Sequence, residues 1–227
     1  LDPNDPVTIG AMVGPEAFTE VRYLAHAKQL QALDLLPELA AEFQQVFGRN
    51  SGGLIKPYQL EDAETVVIAL GSVLGTIKDT VDEMRAQGIK IGVLGITSFR
   101  PFPIEAIRAV TAHAKRIVVI EKCFAVGIGG IVSRDVRSAV QSRPQQVFAV
   151  VAGLGGRAIT KASLHKLLLQ AIDDKLELLT FLDLDWGIVN RVLEREKQQR
   201  RSGPVAEGIL RDIGTVSREA PTLSSTA

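Results

Sequence analysis

The sequence predicts an α/β fold built on a mostly parallel sheet, and three observations carry that expectation. From Tyr58 onward one theme recurs, a short β-branched run, a glycine-bearing turn and then an amphipathic helix, which is how parallel strands are joined. The segments between the runs place apolar residues on a 3.6-residue period with polar backs. Finally, 227 residues with 46% hydrophobic and 23% charged content suffice for one ordinary domain with extensions.

Taken in chain order, the opening Leu-Asp-Pro-Asn-Asp-Pro reads as an inter-domain linker, and a piece of a longer protein is expected. A short strand candidate at 7–9 precedes a helical arm over 16–47, whose period is clearest in Leu36, Leu39, Ala40, Phe43 and Val46. Pro37 suits the first turn of a second helix better than a helix interior, so a break near Asp34 is expected. The turn cluster 48–53 closes the arm. Strands are expected at 65–70, 89–96, 116–120 and 146–152, with helices at 73–86, 104–114 and 132–141 between them. A further helix over 161–173 starts from Thr160 as N-cap, and 178–184 leads into a last helix over 186–199, with Asp183 and Asp185 at its capped start. The divisions expected are thus linker, edge strand and arm at 1–57, an α/β core with terminal helix at 58–200, and a flexible tail at 201–227.

The 26 basic and 26 acidic residues cancel, so no overall field draws the chain to nucleic acid or an anionic membrane. Its apolar runs are far too short to span a bilayer and no signal-peptide pattern opens it, which points to the cytoplasm. Cys123, the single cysteine, can neither form an internal disulfide nor by itself hold zinc or an iron–sulfur cluster, and it is expected to be a buried structural thiol. His26, His113 and His165 have no second ligand at metal spacing, and no serine sits in a G-x-S-x-G elbow.

Three glycine turns follow strands, where backbone N–H groups can meet a phosphate. In Gly71-Ser72-Val73-Leu74-Gly75, Ser72 is expected to cap the following helix rather than meet a ligand. Gly127-Ile128-Gly129-Gly130 carries Val132 where a dinucleotide fingerprint wants a third glycine. Gly153-Leu154-Gly155-Gly156-Arg157-Ala158 does satisfy G-x-G-x-x-A, with Asp173 or Asp174 about twenty residues on. Those acidic residues end a helix rather than a strand, and the helix starts only at Thr160, so tight turning is the expected role. An autonomous dinucleotide-binding oxidoreductase built on this turn is the rival reading. Arg100-Pro101-Phe102-Pro103 ends another strand, where Pro103 opens a helix while Arg100 and Phe102 are candidate contacts. Glu121 lies past a strand end beside Lys122, and a surface ion pair is its expected state.

The ordered set formed by Arg22-Tyr23-Leu24, Phe47-Gly48-Arg49, Ala69-Leu70-Gly71-Ser72, Ser98 to Pro103 and Gly153 to Arg157 resembles the 2-oxoacid:ferredoxin oxidoreductase family, in its pyruvate:ferredoxin oxidoreductase (pyruvate synthase) α subunits. The resemblance covers about 5–190 and implies a transketolase C-terminal-domain-like fold, a three-layer α/β/α sandwich around a five-stranded mixed sheet. It also implies a multi-subunit enzyme that oxidatively decarboxylates a 2-oxoacid with coenzyme A, using thiamine diphosphate, magnesium and iron–sulfur clusters to reduce ferredoxin. This stretch contains no Gly-Asp-Gly and no cluster-binding cysteine run, so no catalytic, cofactor or metal residue of the family maps onto it. The chain alone is then expected to be inactive and to bind none of those cofactors, ordering the assembly and shaping the approach to the active site. The candidate contact residues are Arg100, Phe102, Gly127, Gly129, Gly155 and Arg157. A free-standing adaptor binding partners through the helical arm is a third reading.

Overall fold

The structure, a computed structural model, describes residues 2–4, 12–141, 143–198 and 209–210. It divides into two units, Leu1–Leu182 and Asp183–Ala227. The strand expected at 7–9 lies outside the described residues, as does most of the tail expected from 201; within that tail only Ile209 and Leu210 are described, and they are helical.

The first unit begins with helix α1 (Phe18–Phe47) and strand β1 (Ile55–Tyr58). It continues through β2 (Thr65–Ala69), α2 (Val73–Ala86), β3 (Ile91–Ile96), α3 (Ile104–Val110), β4 (Arg116–Glu121), α4 (Val132–Val140), β5 (Gln146–Val151), α5 (Lys161–Ile172) and β6 (Leu179–Phe181). The sheet order is β1-β3-β2-β4-β5-β6, with β1 antiparallel to β3 and every other pairing parallel. Six strands replace the five expected. The two edge strands, β1 and β6, are short and only half-buried, so neither carries the long β-branched run that marks an interior strand. Pro57 is tolerated in β1 because an edge strand has a side that needs no ladder donor.

The interior strands β2 and β3 are buried along their whole length. Alternate side chains feed two separate cores. On one face Val67, Val93, Val118 and Phe148 pack with Ile77, Val81 and Met84 of α2 and Leu164, Leu167 and Leu168 of α5. On the other, Val66, Ile68, Leu94 and Val119 pack with Ile107 of α3 and Val132, Val136 and Ala139 of α4. This is the three-layer α/β/α arrangement. Its consequence for function is that β2 sends its chain onto one face through α2 while neighbouring β4 sends its chain onto the other through α4. Between their carboxyl ends lies a topological switch point, where open α/β sheets leave a crevice.

Helix α1 corrects one expectation. It runs unbroken through Pro37 for 30 residues and ends at Gly48, whose left-handed φ of 65° lets its N–H reach Gln44 O at 2.8 Å. The expected break near Asp34 is absent. Proline removes one i→i−4 bond, here the one to Leu33 O, and no residue of α1 is buried, so water can satisfy that carbonyl.

The second unit holds α6 (Trp186–Gln198). Asp185 Oδ1 accepts from Ile188 N at 3.0 Å, the expected cap, and Lys197 pairs with Glu194 at 2.6 Å on a solvated face. No described helix is long and apolar enough to cross a membrane.

Candidate functional site at the carboxyl edge of the sheet

The crevice at the switch point has a volume of about 490 Å³. Each wall comes from a strand end and the turn after it. Leu70 and Ser72 follow β2, Phe99 follows β3, Glu121 ends β4 with Lys122 and Cys123 just beyond it, and Gly153, Gly156 and Arg157 follow β5. Thr76 of α2, Val132 of α4 and Ile159 complete it.

Glu121 is held by three hydrogen bonds and overturns its sequence reading. It is 6% exposed, and its carboxylate accepts three backbone N–H groups, Ile131 at 2.8 Å and Val132 at 2.7 Å on Oε2, and Ser133 at 2.9 Å on Oε1. Those are the donors at the start of α4 that the helix cannot satisfy by itself, and a carboxylate there also suits the helix dipole. A surface ion pair is ruled out because the side chain turns inward. Room for it is made by Gly130, where an added Cβ would collide with the Glu121 carboxylate and lie 2.6 Å from Ser133 Oγ. The Gly127 turn therefore wraps a carboxylate of the same chain at the helix start, the place a phosphate would occupy in a nucleotide-binding turn.

Two further expectations change. Ser72 does not cap α2: it has helical φ/ψ of −67° and −24° and makes no side-chain capping bond, so its hydroxyl faces a different task on the crevice wall. Cys123 is exposed at the crevice, not buried, because it lies two residues past the end of β4's inward-facing run. Thr160, by contrast, caps α5 as expected, accepting Ser163 N at 3.1 Å. The helix begins there and not in the glycine turn. Gly153, Gly155 and Gly156 all have positive φ in a single 3₁₀ turn, leaving four residues before α5 begins.

Of the six candidate contacts, Arg157 lines the crevice. Gly155 lies in the same turn with open space where a side chain would stand. Arg100 is held outside it, stacked 4.1 Å over the Phe99 ring and paired with Asp135 at 2.8 Å. Phe102 is half-buried and meets Phe99 edge to face at 6.4 Å between centroids, so Phe99 is the residue that reaches the crevice. Gly127 and Gly129 form the tip of a turn closed by Ala125 N to Gly129 O at 2.8 Å, which pushes out Val126, 87% exposed, and Ile128, 63% exposed. Sequence reasoning passed over Phe99, Thr76 and Lys122; the aromatic next to Arg100 was the available signal. Among the described residues no group of His, Cys, Asp or Glu is placed to hold a metal ion. His113 Nε2 lies 2.7 Å from Leu60 O.

Charge pairing elsewhere has a structural role. Ahead of β2, at the opposite edge of the sheet, a hydrogen bond from Arg85 holds Asp62 below the usual carboxylate range, and one from Lys115 does the same for Glu64. Lys161, which opens α5, is raised by its bond to Glu83.

Comparison with known proteins matches residues 63–164, the stretch from β2 to the first turn of α5, to the family described as pyruvate:ferredoxin oxidoreductase core domain II. The chain is 43% identical over 171 residues to pyruvate synthase subunit PorA of Methanosarcina barkeri, covering 74% of this chain and 42% of that protein. It is 38% identical over 162 residues to the PorA subunit of Pyrococcus horikoshii, covering 70% and 41%. The chain thus spans less than half the length of these relatives. Among solved structures it is similar to 2-oxoglutarate:ferredoxin oxidoreductase from Magnetococcus marinus, with TM-score 0.42 and 18% identity over 60% of this chain and 21% of that one. The strands that build the crevice, β2 to β5, lie within the stretch matched to core domain II, and over most of its length the chain is similar to pyruvate synthase PorA subunits.

Proposed function

We propose that this chain is a non-catalytic domain of a pyruvate:ferredoxin oxidoreductase, the enzyme that oxidatively decarboxylates pyruvate to acetyl-coenzyme A and passes the electrons to ferredoxin. The observation that carries this reading is the core domain II match together with PorA relatives over most of the chain. In the proposal thiamine diphosphate, magnesium and the iron–sulfur clusters are held by the remaining domains or subunits, and the assembly works in the cytoplasm. The described residues that line the crevice do not fit thiamine diphosphate with magnesium. Such a site needs oxygen ligands around the ion, and the crevice carboxylate, Glu121, is already bonded to three backbone N–H groups. This domain would order the assembly, with the Gly127–Gly129 tip, Phe102 and Arg100 as contact positions. Support for the tip is its exposed Val126 and Ile128, two large apolar side chains held out by a tight turn.

The rival reading, a dinucleotide site on the Gly153 turn, needs a helix whose N-terminus points at the pyrophosphate, and α5 starts too late to supply one. Titration calorimetry with thiamine diphosphate and magnesium, NAD or FAD, paired with pyruvate-dependent dye reduction, tests the proposal. The chain alone is expected to give neither saturable binding nor turnover, and activity is expected when the remaining subunits are added. Turnover by this chain alone would sink the non-catalytic assignment.

A further inference from the structure

We propose that the crevice between β2 and β4 binds a small phosphorylated organic anion with a planar body, in the size class of a nucleoside monophosphate. The inference rests on the cavity and its charge, not on the oxidoreductase reading, and it holds or fails independently of it. A volume of about 490 Å³ is within the range of small-molecule sites and suits a mononucleotide. Its floor is apolar, with Leu70, Phe99 and Ile159 offering a surface for a ring. Polar groups converge from three separate strand ends: the Ser72 hydroxyl after β2, Lys122 after β4 and Arg157 after β5.

The charge balance selects an anion. Several cations elsewhere on this unit pair with carboxylates, as in Arg85 with Asp62, Arg116 with Asp174 and Lys115 with Glu64. Lys122 has no ion-pair partner among the described residues. The neighbouring carboxylate that could neutralise it, Glu121, is drawn away by the three N–H groups of α4. Donors arriving from different elements match a phosphate, whose several oxygens accept from several directions, better than a planar carboxylate. Discrimination against bare phosphate comes from the apolar floor, which only a ligand with an organic body can cover.

The test uses the full 227-residue chain, labelled with ¹⁵N and titrated with AMP, adenosine and inorganic phosphate in separate series. AMP is expected to give saturable shifts confined to amides of the crevice, Phe99, Lys122 and Gly156 among them, with adenosine and phosphate each binding at least about tenfold more weakly. Lys122→Ala should weaken AMP about tenfold, the loss of one charge-assisted contact. Lys122 is exposed, so the variant keeps the fold, which its unperturbed spectrum will show. Because Cys123 is the only cysteine and stands exposed on the crevice wall, bound AMP should also slow its alkylation. The proposal is overturned by an AMP series without saturable shifts at millimolar concentration, by phosphate alone binding as well as AMP, or by Lys122→Ala leaving the affinity unchanged.

Discussion

At the scale of single residues, Glu121 carries more of the local structure than any other side chain near the crevice, because three donors at the start of α4 depend on one carboxylate. Glu121→Ala leaves all three without a partner, those of Val132 and Ser133 in a buried setting, and a loss of about 3 kcal/mol is expected from denaturant unfolding, with Glu121→Gln recovering part of it. A loss no larger than that of an ordinary surface change would show that water replaces the carboxylate. The residue's role was hidden in the sequence because Lys122 beside it suggested a surface pair. What matters is Gly130, nine positions further along the chain, and its missing side chain is intelligible only once Glu121 is seen to occupy the place. Asp62 and Glu64 make a second prediction at this scale. Both are held below the usual carboxylate range, by bonds from Arg85 and Lys115. A carboxylate with a depressed folded pKa adds stability that is fully present above its unfolded pKa and is lost as pH falls through the folded value. Melting temperature should therefore fall between about pH 5 and pH 3, and Asp62→Asn should flatten the fall slightly, since the group is exposed and its pairing is weak. An identical acid profile in Asp62→Asn would remove this pair from the account.

Among the elements, those that were legible in the sequence are those whose own residues decide them. β2, β3, β4 and β5 are β-branched runs buried on both faces of the sheet, and the α2 and α4 stripes pack where their period says they should. β1 and β6 were not legible, since Ile-Lys-Pro-Tyr and Leu-Thr-Phe become strands only through the neighbours they pair with. Helix α1 failed for another reason. A proline costs a helix about 3 kcal/mol in its interior, which favours two helices on local grounds, yet α1 continues through it. With no buried residue to hold it, α1 should be the least protected helix of the first unit when the chain is alone. Hydrogen exchange should show its amides exchanging well ahead of those in β2 and β4, and Pro37→Ala should slow them. Equal protection in α1 and the central strands would contradict this. Thr160 offers the opposite case, a cap read correctly from one residue because the bond it makes is local. Thr160→Ala should cost about 1 kcal/mol in global unfolding.

At the scale of the whole molecule, the sheet's carboxyl edge divides into two regions with different demands, a concave crevice and a convex apolar tip. The crevice could be anticipated only in outline, because strand ends can be counted in a sequence but which turns converge depends on the order β3-β2-β4-β5. The tip was visible as a glycine turn, though not as an exposed one. Val126 and Ile128 cannot stabilise the domain, being turned toward water, so an apolar pair held there by the bonds between Ala125 and Gly129 has its value in what it meets. In the proposed oxidoreductase that partner is another domain or subunit of the enzyme. Replacing both by serine should then leave the unfolding midpoint of this chain within about 0.5 kcal/mol of its original value, as for surface changes away from any structural feature. Co-purification with the remaining subunits should nevertheless fall, because a small exposed apolar pair removed from the centre of an interface costs about 1 kcal/mol or more per side chain. The two measurements separate the alternatives. Loss of stability would make the tip a structural part of this domain, and unchanged co-purification would remove it from the interface and leave the rest of the carboxyl edge to carry the assembly.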